Sequence, residues 1–139
     1  MVAATKAGVS YFAIVFAFGF LLGALRTMVL VPRMGEPVAV LLEMPVILTI
    51  SWVVCKWSIS IHAVPRHFFK RLLMGSLAFL LLMGAEFTLT ALVMELSPDQ
   101  FLLSLTSLPG TIGLIGQGLF ALFPILQANT ARPARTHSA

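Results

Sequence analysis

Charge is the scarcest commodity in this chain. Asp, Glu, Lys and Arg make up 10% of its 139 residues, against about 25% in an average soluble domain. Hydrophobic residues make up 59% and the mean hydropathy is +1.01. So few charges cannot keep so much apolar surface in water, and lipid is the expected solvent. Cysteine is almost absent: the single Cys55 excludes an internal disulfide framework and a CxxC redox pair. The nine basic residues, for a net charge of +4, are too scattered for a phosphate-binding face. Nucleic acid is therefore not an expected partner, and the basic residues carry topology information instead.

Metal, cofactor and catalytic motifs are also missing. His62 and His67 are five apart with Pro65 between them, and no second pair exists to complete a metal or haem set. They read as interfacial histidines. The seven methionines form no paired clusters of the kind a copper path needs. The glycines of LPGTIGLIGQGLF lack the preceding strand and the lysine of a nucleotide loop. No nucleophile–base pair is visible. No catalytic residue, metal ligand or cofactor is assigned, and an enzyme is the weakest of the functional readings.

Four apolar runs are present, each long enough to cross about 30 Å of hydrocarbon. They cover about 7–31, 37–57, 68–94 and 109–126. Pro32 is expected to stop the first, and Pro37 opens the second at a position where a missing N–H costs little. The Lys6-led start superficially resembles a secretory signal. Its run is too long and lacks an A-x-A site, so a retained helix is expected. The expected fold class is all-α, an integral membrane up-and-down four-helix bundle. It forms a single transmembrane domain over 1–127, followed by a disordered cytoplasmic tail over 128–139. No internal repeat is found.

Orientation follows the Lys and Arg bias of the loops. Lys6, Lys56, Arg66, Lys70, Arg71, Arg132 and Arg135 share one side of a four-span chain. Arg33 is the lone basic loop residue on the other, beside Glu36, Glu95 and Asp99. Both termini are therefore expected inside. Trp52 and Trp57, flanking Lys56, suit the inner interface. PRHFFKRLL, basic and aromatic, reads as the anchor of the third span. Cys55 reads as an inert packing residue.

In the outer half of the apolar runs lie four charged or amide residues, one in each run. At 1.5 Å per residue, Arg26 and Glu43 lie about 9 Å below the outer end, Glu86 about 13 Å and Gln117 about 12 Å. Four helices thus bring Arg26, Glu43, Glu86 and Gln117 to one layer of the outer leaflet. Gly19 and Gly23 share the face of Arg26, and Gly110 and Gly113 that of Gln117. Such small-residue faces are expected to meet other helices closely. Thr90 shares a face with Glu86. Pro45 frees the Leu41 carbonyl beside Glu43, a candidate accessory feature or a packing device. An unpaired charge at mid-membrane costs roughly 3 kcal/mol or more, so Arg26 is expected to pair with one glutamate. The other is expected to hold a proton, or to exchange it with a substrate cation.

Two readings of the layer stand side by side: a salt bridge and hydrogen bonds that only lock the bundle, or a pocket for transport, proton relay or ligand binding. The functional expectation is a small-solute or ion transporter, or a transport accessory subunit, coupled to protonation of Glu43 and Glu86. The alternative is a non-catalytic subunit or scaffold of a larger membrane complex. Either case expects a lipid bilayer and a homo-oligomer or partner membrane subunit. The runs RMGEPVAVLLEMPVILTISW and GQGLFALFPIL resemble small four-helix bacterial inner-membrane proteins. That resemblance implies a multi-pass inner-membrane location and no activity.

Overall fold

The computed structural model describes residues 2–93, 95 and 97–130. They form five helices and, among the described residues, no strand: α1 (Val2–Met34), α2 (Glu36–His62), α3 (Phe68–Val93), α4 (Pro98–Ser104) and α5 (Leu108–Thr130). All but α4 are long and apolar enough to cross a membrane. Leu21, Leu80 and Ile115 stand more than half exposed on the outside of the bundle. That is the reverse of a soluble protein's patterning and suits a lipid surround.

The helix ends differ from the sequence expectation for identifiable reasons. Pro32 does not stop α1. Residues Arg26–Leu30 widen into a π turn, in which the Val31 N–H reaches back to the Arg26 carbonyl. The wider turn accommodates a proline that could not continue the α pattern, and the helix runs on to Met34. Gly35, at φ 83°, then turns the chain into α2, a conformation that glycine adopts without strain. The second helix continues past Trp57 to His62 and ends where Ala63 adopts a left-handed conformation before Pro65. His62 is consequently helical, not a loop residue, and is 3.0 Å from Ser10 Oγ of α1 in a shared hydrogen bond. The last helix includes 128–130, placed in the tail on sequence grounds. Met94, at the expected end of the third span, and 131–139, with Arg132 and Arg135, lie outside the described residues.

The short helix α4 has no counterpart among the expected elements. Ser97 accepts from the Gln100 N–H at 3.3 Å while Gln100 Oε1 accepts from the Ser97 N–H at 3.0 Å. With Pro98 in the first turn, this is a complete capping box.

Around the bundle the order is α1, α2, α5, α3, so α2 and α3 lie on a diagonal although consecutive. Four helix ends, the starts of α1 and α3 and the finishes of α2 and α5, gather at what we call the basic end, near Lys6, Arg66 and Lys70. The α1–α2 turn and α4 form the acidic end, near Glu36, Glu95 and Asp99.

The half of the bundle toward the basic end is tightly packed. Ala4, Ala7, Tyr11, Cys55, Met74 and Phe120 are buried there. Gly8 lets α1 approach the Met74 carbonyl, and Gly75 sits against the Ala121 carbonyl of α5 with no room for a Cβ. Gly84, on the same helix, has nothing within 4 Å of where a Cβ would be. Gly75→Ala is therefore expected to destabilise the bundle by about 1–3 kcal/mol, because backbone must move. Gly84→Ala should stabilise it by up to about 1 kcal/mol. Thermal unfolding in detergent, followed by near-UV circular dichroism, reads both.

Pro124 organises this region. Lacking an N–H, it leaves the Phe120 carbonyl without its helical donor. The Tyr11 hydroxyl donates to that carbonyl at 2.7 Å, and the two rings stack with centroids 4.2 Å apart. This contact spans the α1–α5 diagonal. Arg71, 3% exposed, closes the bundle below it. Its guanidinium donates to the carbonyls of Pro65, Val64 and Pro124 at 3.1, 3.2 and 3.3 Å. Gln127 Nε2 donates to the Trp52 carbonyl at 2.8 Å.

Candidate functional site

Above the Tyr11–Phe120 contact the four helices separate around a partly open chamber of about 690 Å³. On α2 its lining follows one helical stripe, from Glu36 through Val40, Glu43, Ile47 and Leu48 to Ser51. This is the period of a single helix face, and it runs about 22 Å along the axis. The stripes of α1 (Val15, Gly19, Gly23, Arg26) and α3 (Leu82, Glu86, Leu89, Thr90) repeat the pattern. On α5 the lining includes Gly110, Gly113, Gln117 and Phe120.

The glycines explain why there is a chamber. Gly19 has only Ile47 Cδ1, at 3.8 Å, near the place of a Cβ, and Gly113 has nothing within 4 Å. Gly110 packs against the Ser104 carbonyl at the end of α4, but Gly19 and Gly113 do not meet a neighbouring helix as the sequence led us to expect. They leave space where larger side chains would have filled the bundle axis. Gly23 has a further role: Arg26 folds back over it, with Nη2 4.0 Å from the place of a Cβ. Close helix approach in this half occurs where Met44 of α2 lies on Gly116 of α5.

All four polar residues of the expected layer line the chamber, and they sort into two pairs. Arg26 Nη1 donates to Glu43 Oε2 at 2.7 Å, the side chains being 29% and 10% exposed. Such a short charge-assisted contact is strong when partly removed from water. Gln117 Nε2 donates to Glu86 Oε2 at 2.5 Å, joining α5 to α3. The other amide atom, Gln117 Oε1, is buried and accepts no hydrogen bond. Of the two carboxylates, Glu43 is the one in direct contact with the cation.

Thr90 lines the chamber; Pro45 does not. Pro45 and Leu41 face outward on α2, Leu41 being 55% exposed, so the carbonyl freed by this proline is turned away from the site. Sequence reasoning missed Glu36 as a chamber residue. The signal was available, since Glu36 precedes Glu43 by seven residues and so shares its helix face. Phe101 of α4, edge-on to Phe87, and Ser104 and Ser107 border the chamber at the acidic end.

Chemically, the chamber offers three carboxylates, one guanidinium, one amide and hydroxyls within a mainly apolar wall. It can hold an ion pair, exchange a proton at a carboxylate, and bind an organic molecule of modest size. No group of three or more His, Cys, Asp or Glu among the described residues has metal-binding geometry. Comparison with protein-family models, curated proteins and solved structures finds no match to this chain.

Proposed function

We propose that this chain spans a bacterial inner membrane four times with both termini cytoplasmic, and that its chamber is the binding and proton-coupling site of a small-solute or ion transporter, or of a transport accessory subunit. One observation carries the reading: four helices direct Arg26, Glu43, Glu86 and Gln117 into a single chamber partway along the apolar spans. A bundle held together only by polar locks needs no such space. Lone locking pairs contribute about a kcal/mol each and sit in closed packing.

In this reading Glu43 and Glu86 carry the exchangeable proton or cation. Arg26 is the counter-charge, and Gln117 orients Glu86. The excess of Lys and Arg at the basic end supports a cytoplasmic placement of that end. The chamber then opens outward, and Tyr11 on Phe120 forms its floor. Movement of solute to the cytoplasm requires that floor to open, and partnership with a second copy or another membrane subunit would supply the leverage.

Proteoliposomes loaded with a pH-sensitive dye test the proposal. A panel of small organic cations, anions and neutral solutes is added outside under an imposed pH gradient. The wild type is expected to shift internal pH with at least one class, and folded Glu43→Gln/Glu86→Gln protein is expected to shift it with none. Equal traces for the wild type and the folded double variant contradict the transport reading. Loss of a co-purifying membrane partner in that variant, with flux unchanged, favours a non-catalytic subunit or scaffold.

A further inference from the structure

We infer that the chamber's ligand is an organic monocation, a protonated amine carried on an apolar body, held by Glu86 in exchange for a proton. The inference rests on the proposed solute-site reading and names the substrate class.

The first argument is charge. Among the described residues, Arg26 on α1 is the single basic one lining the chamber, and Glu43 engages it directly. Glu36 and Glu86 remain, and α4 and α5 bring only neutral groups to the wall. The potential in the chamber is therefore negative, with Glu36 at the mouth and Glu86 deep inside. An anion would meet a guanidinium whose charge Glu43 already balances.

The second argument is hydrogen bonding. Glu86 receives one donor, Gln117 Nε2, on one of its two oxygens. Gln117 Oε1 accepts nothing. The Glu86–Gln117 pair thus has more acceptors than donors, and an ammonium group brings three donors and no acceptor. The third is size and polarity. A volume of about 690 Å³ walled by residues such as Phe16, Leu48, Leu82 and Phe120 exceeds the needs of a bare inorganic cation and suits an apolar body.

Exchange balances charge. With Glu86 protonated, the interior of the chamber holds the Arg26–Glu43 pair and a neutral acid, and the Glu36 carboxylate stays at the mouth in both states. When the ammonium binds, the Glu86 O–H bond breaks, the proton leaves to water, and the carboxylate pairs with the cation. The net charge of the chamber is the same in both states. Neither state then places an uncompensated charge among the spans, where it would be costly.

Calorimetry on the purified full chain in lipid nanodiscs tests this with three probes of like shape: 2-phenylethylammonium, 2-phenylethanol and phenylacetate. The wild type is expected to bind the ammonium at least tenfold more tightly than the other two. Glu86→Gln should weaken ammonium binding at least tenfold, while Glu95→Gln, outside the chamber, should change it less than twofold. Equal or tighter binding of the alcohol or the carboxylate overturns the inference, as does unaltered ammonium binding in folded Glu86→Gln. Should that variant not fold, the wild-type series decides. Ammonium binding without flux overturns transport and leaves the cation site standing. Flux of phenylacetate with no ammonium binding preserves transport and overturns the cation site.

Discussion

Glu43→Gln is expected to destabilise the bundle by about 2–3 kcal/mol, more than removal of both members of the pair. Breaking a buried ion pair by deleting one partner strands the other charge and costs about 3–5 kcal/mol. Arg26 is 29% exposed, so part of that cost is relieved by water at the chamber mouth, which sets the lower figure. The Arg26→Gln/Glu43→Gln double variant leaves two neutral amides that can still hydrogen-bond across α1 and α2. Its loss is expected to stay near 1 kcal/mol, the usual value of a neutral intramembrane contact. The coupling between the two sites is the quantity to measure, by a double-mutant cycle in thermal or denaturant unfolding. Additive losses would mean that the 2.7 Å contact contributes nothing to the fold.

The second large effect is expected at Arg71. Its guanidinium is the shared donor for the carbonyls of Val64, Pro65 and Pro124, which belong to the α2–α3 connection and to α5. A buried carbonyl left without a donor costs about 1–3 kcal/mol. Arg71→Ala should therefore destabilise the protein by about 3 kcal/mol or more, and should expose 63–67 to protease before the rest of the chain. Arg71→Lys should recover only part of the loss, because one ammonium cannot reach three carbonyls with the geometry of a planar fork. Full rescue by lysine would show that charge, not the donor pattern, is what this position supplies.

The four long apolar helices were legible because hydropathy over twenty residues is a strong signal. Their ends were less so. Pro32 was read as a stop, since nothing in sequence announces the π turn that accommodates it. The capping box of α4, Ser97 with Gln100, lies between two apolar runs, where hydropathy carries no helix signal. The candidate site was legible to the level of depth: Arg26, Glu43, Glu86 and Gln117 were placed in one layer by counting 1.5 Å per residue. Which glutamate meets Arg26 was not, because α1 lies beside both α2, which carries Glu43, and α3, which carries Glu86. The glycines were misread for the same reason. A small-residue face permits close approach or leaves a void, and only the neighbouring helix decides which. The argument about a proline-freed carbonyl was sound but was applied to Pro45, which faces outward. Pro124 is where it operates, with Tyr11 answering Phe120 from 109 residues away. Arg71 was taken for an interfacial anchor because its three acceptors are backbone atoms, which sequence does not display.

The claim at the centre of this account is that the chamber exchanges a proton for its ligand at Glu86. Counting protons tests it most directly. Binding of 2-phenylethylammonium to the wild type, measured calorimetrically in buffers of different ionisation enthalpy, is predicted to release about one proton per molecule bound. Folded Glu86→Gln protein, at probe concentrations high enough to saturate it, is predicted to release none. Wild-type binding with no proton released, or equal release from both proteins, would contradict the account.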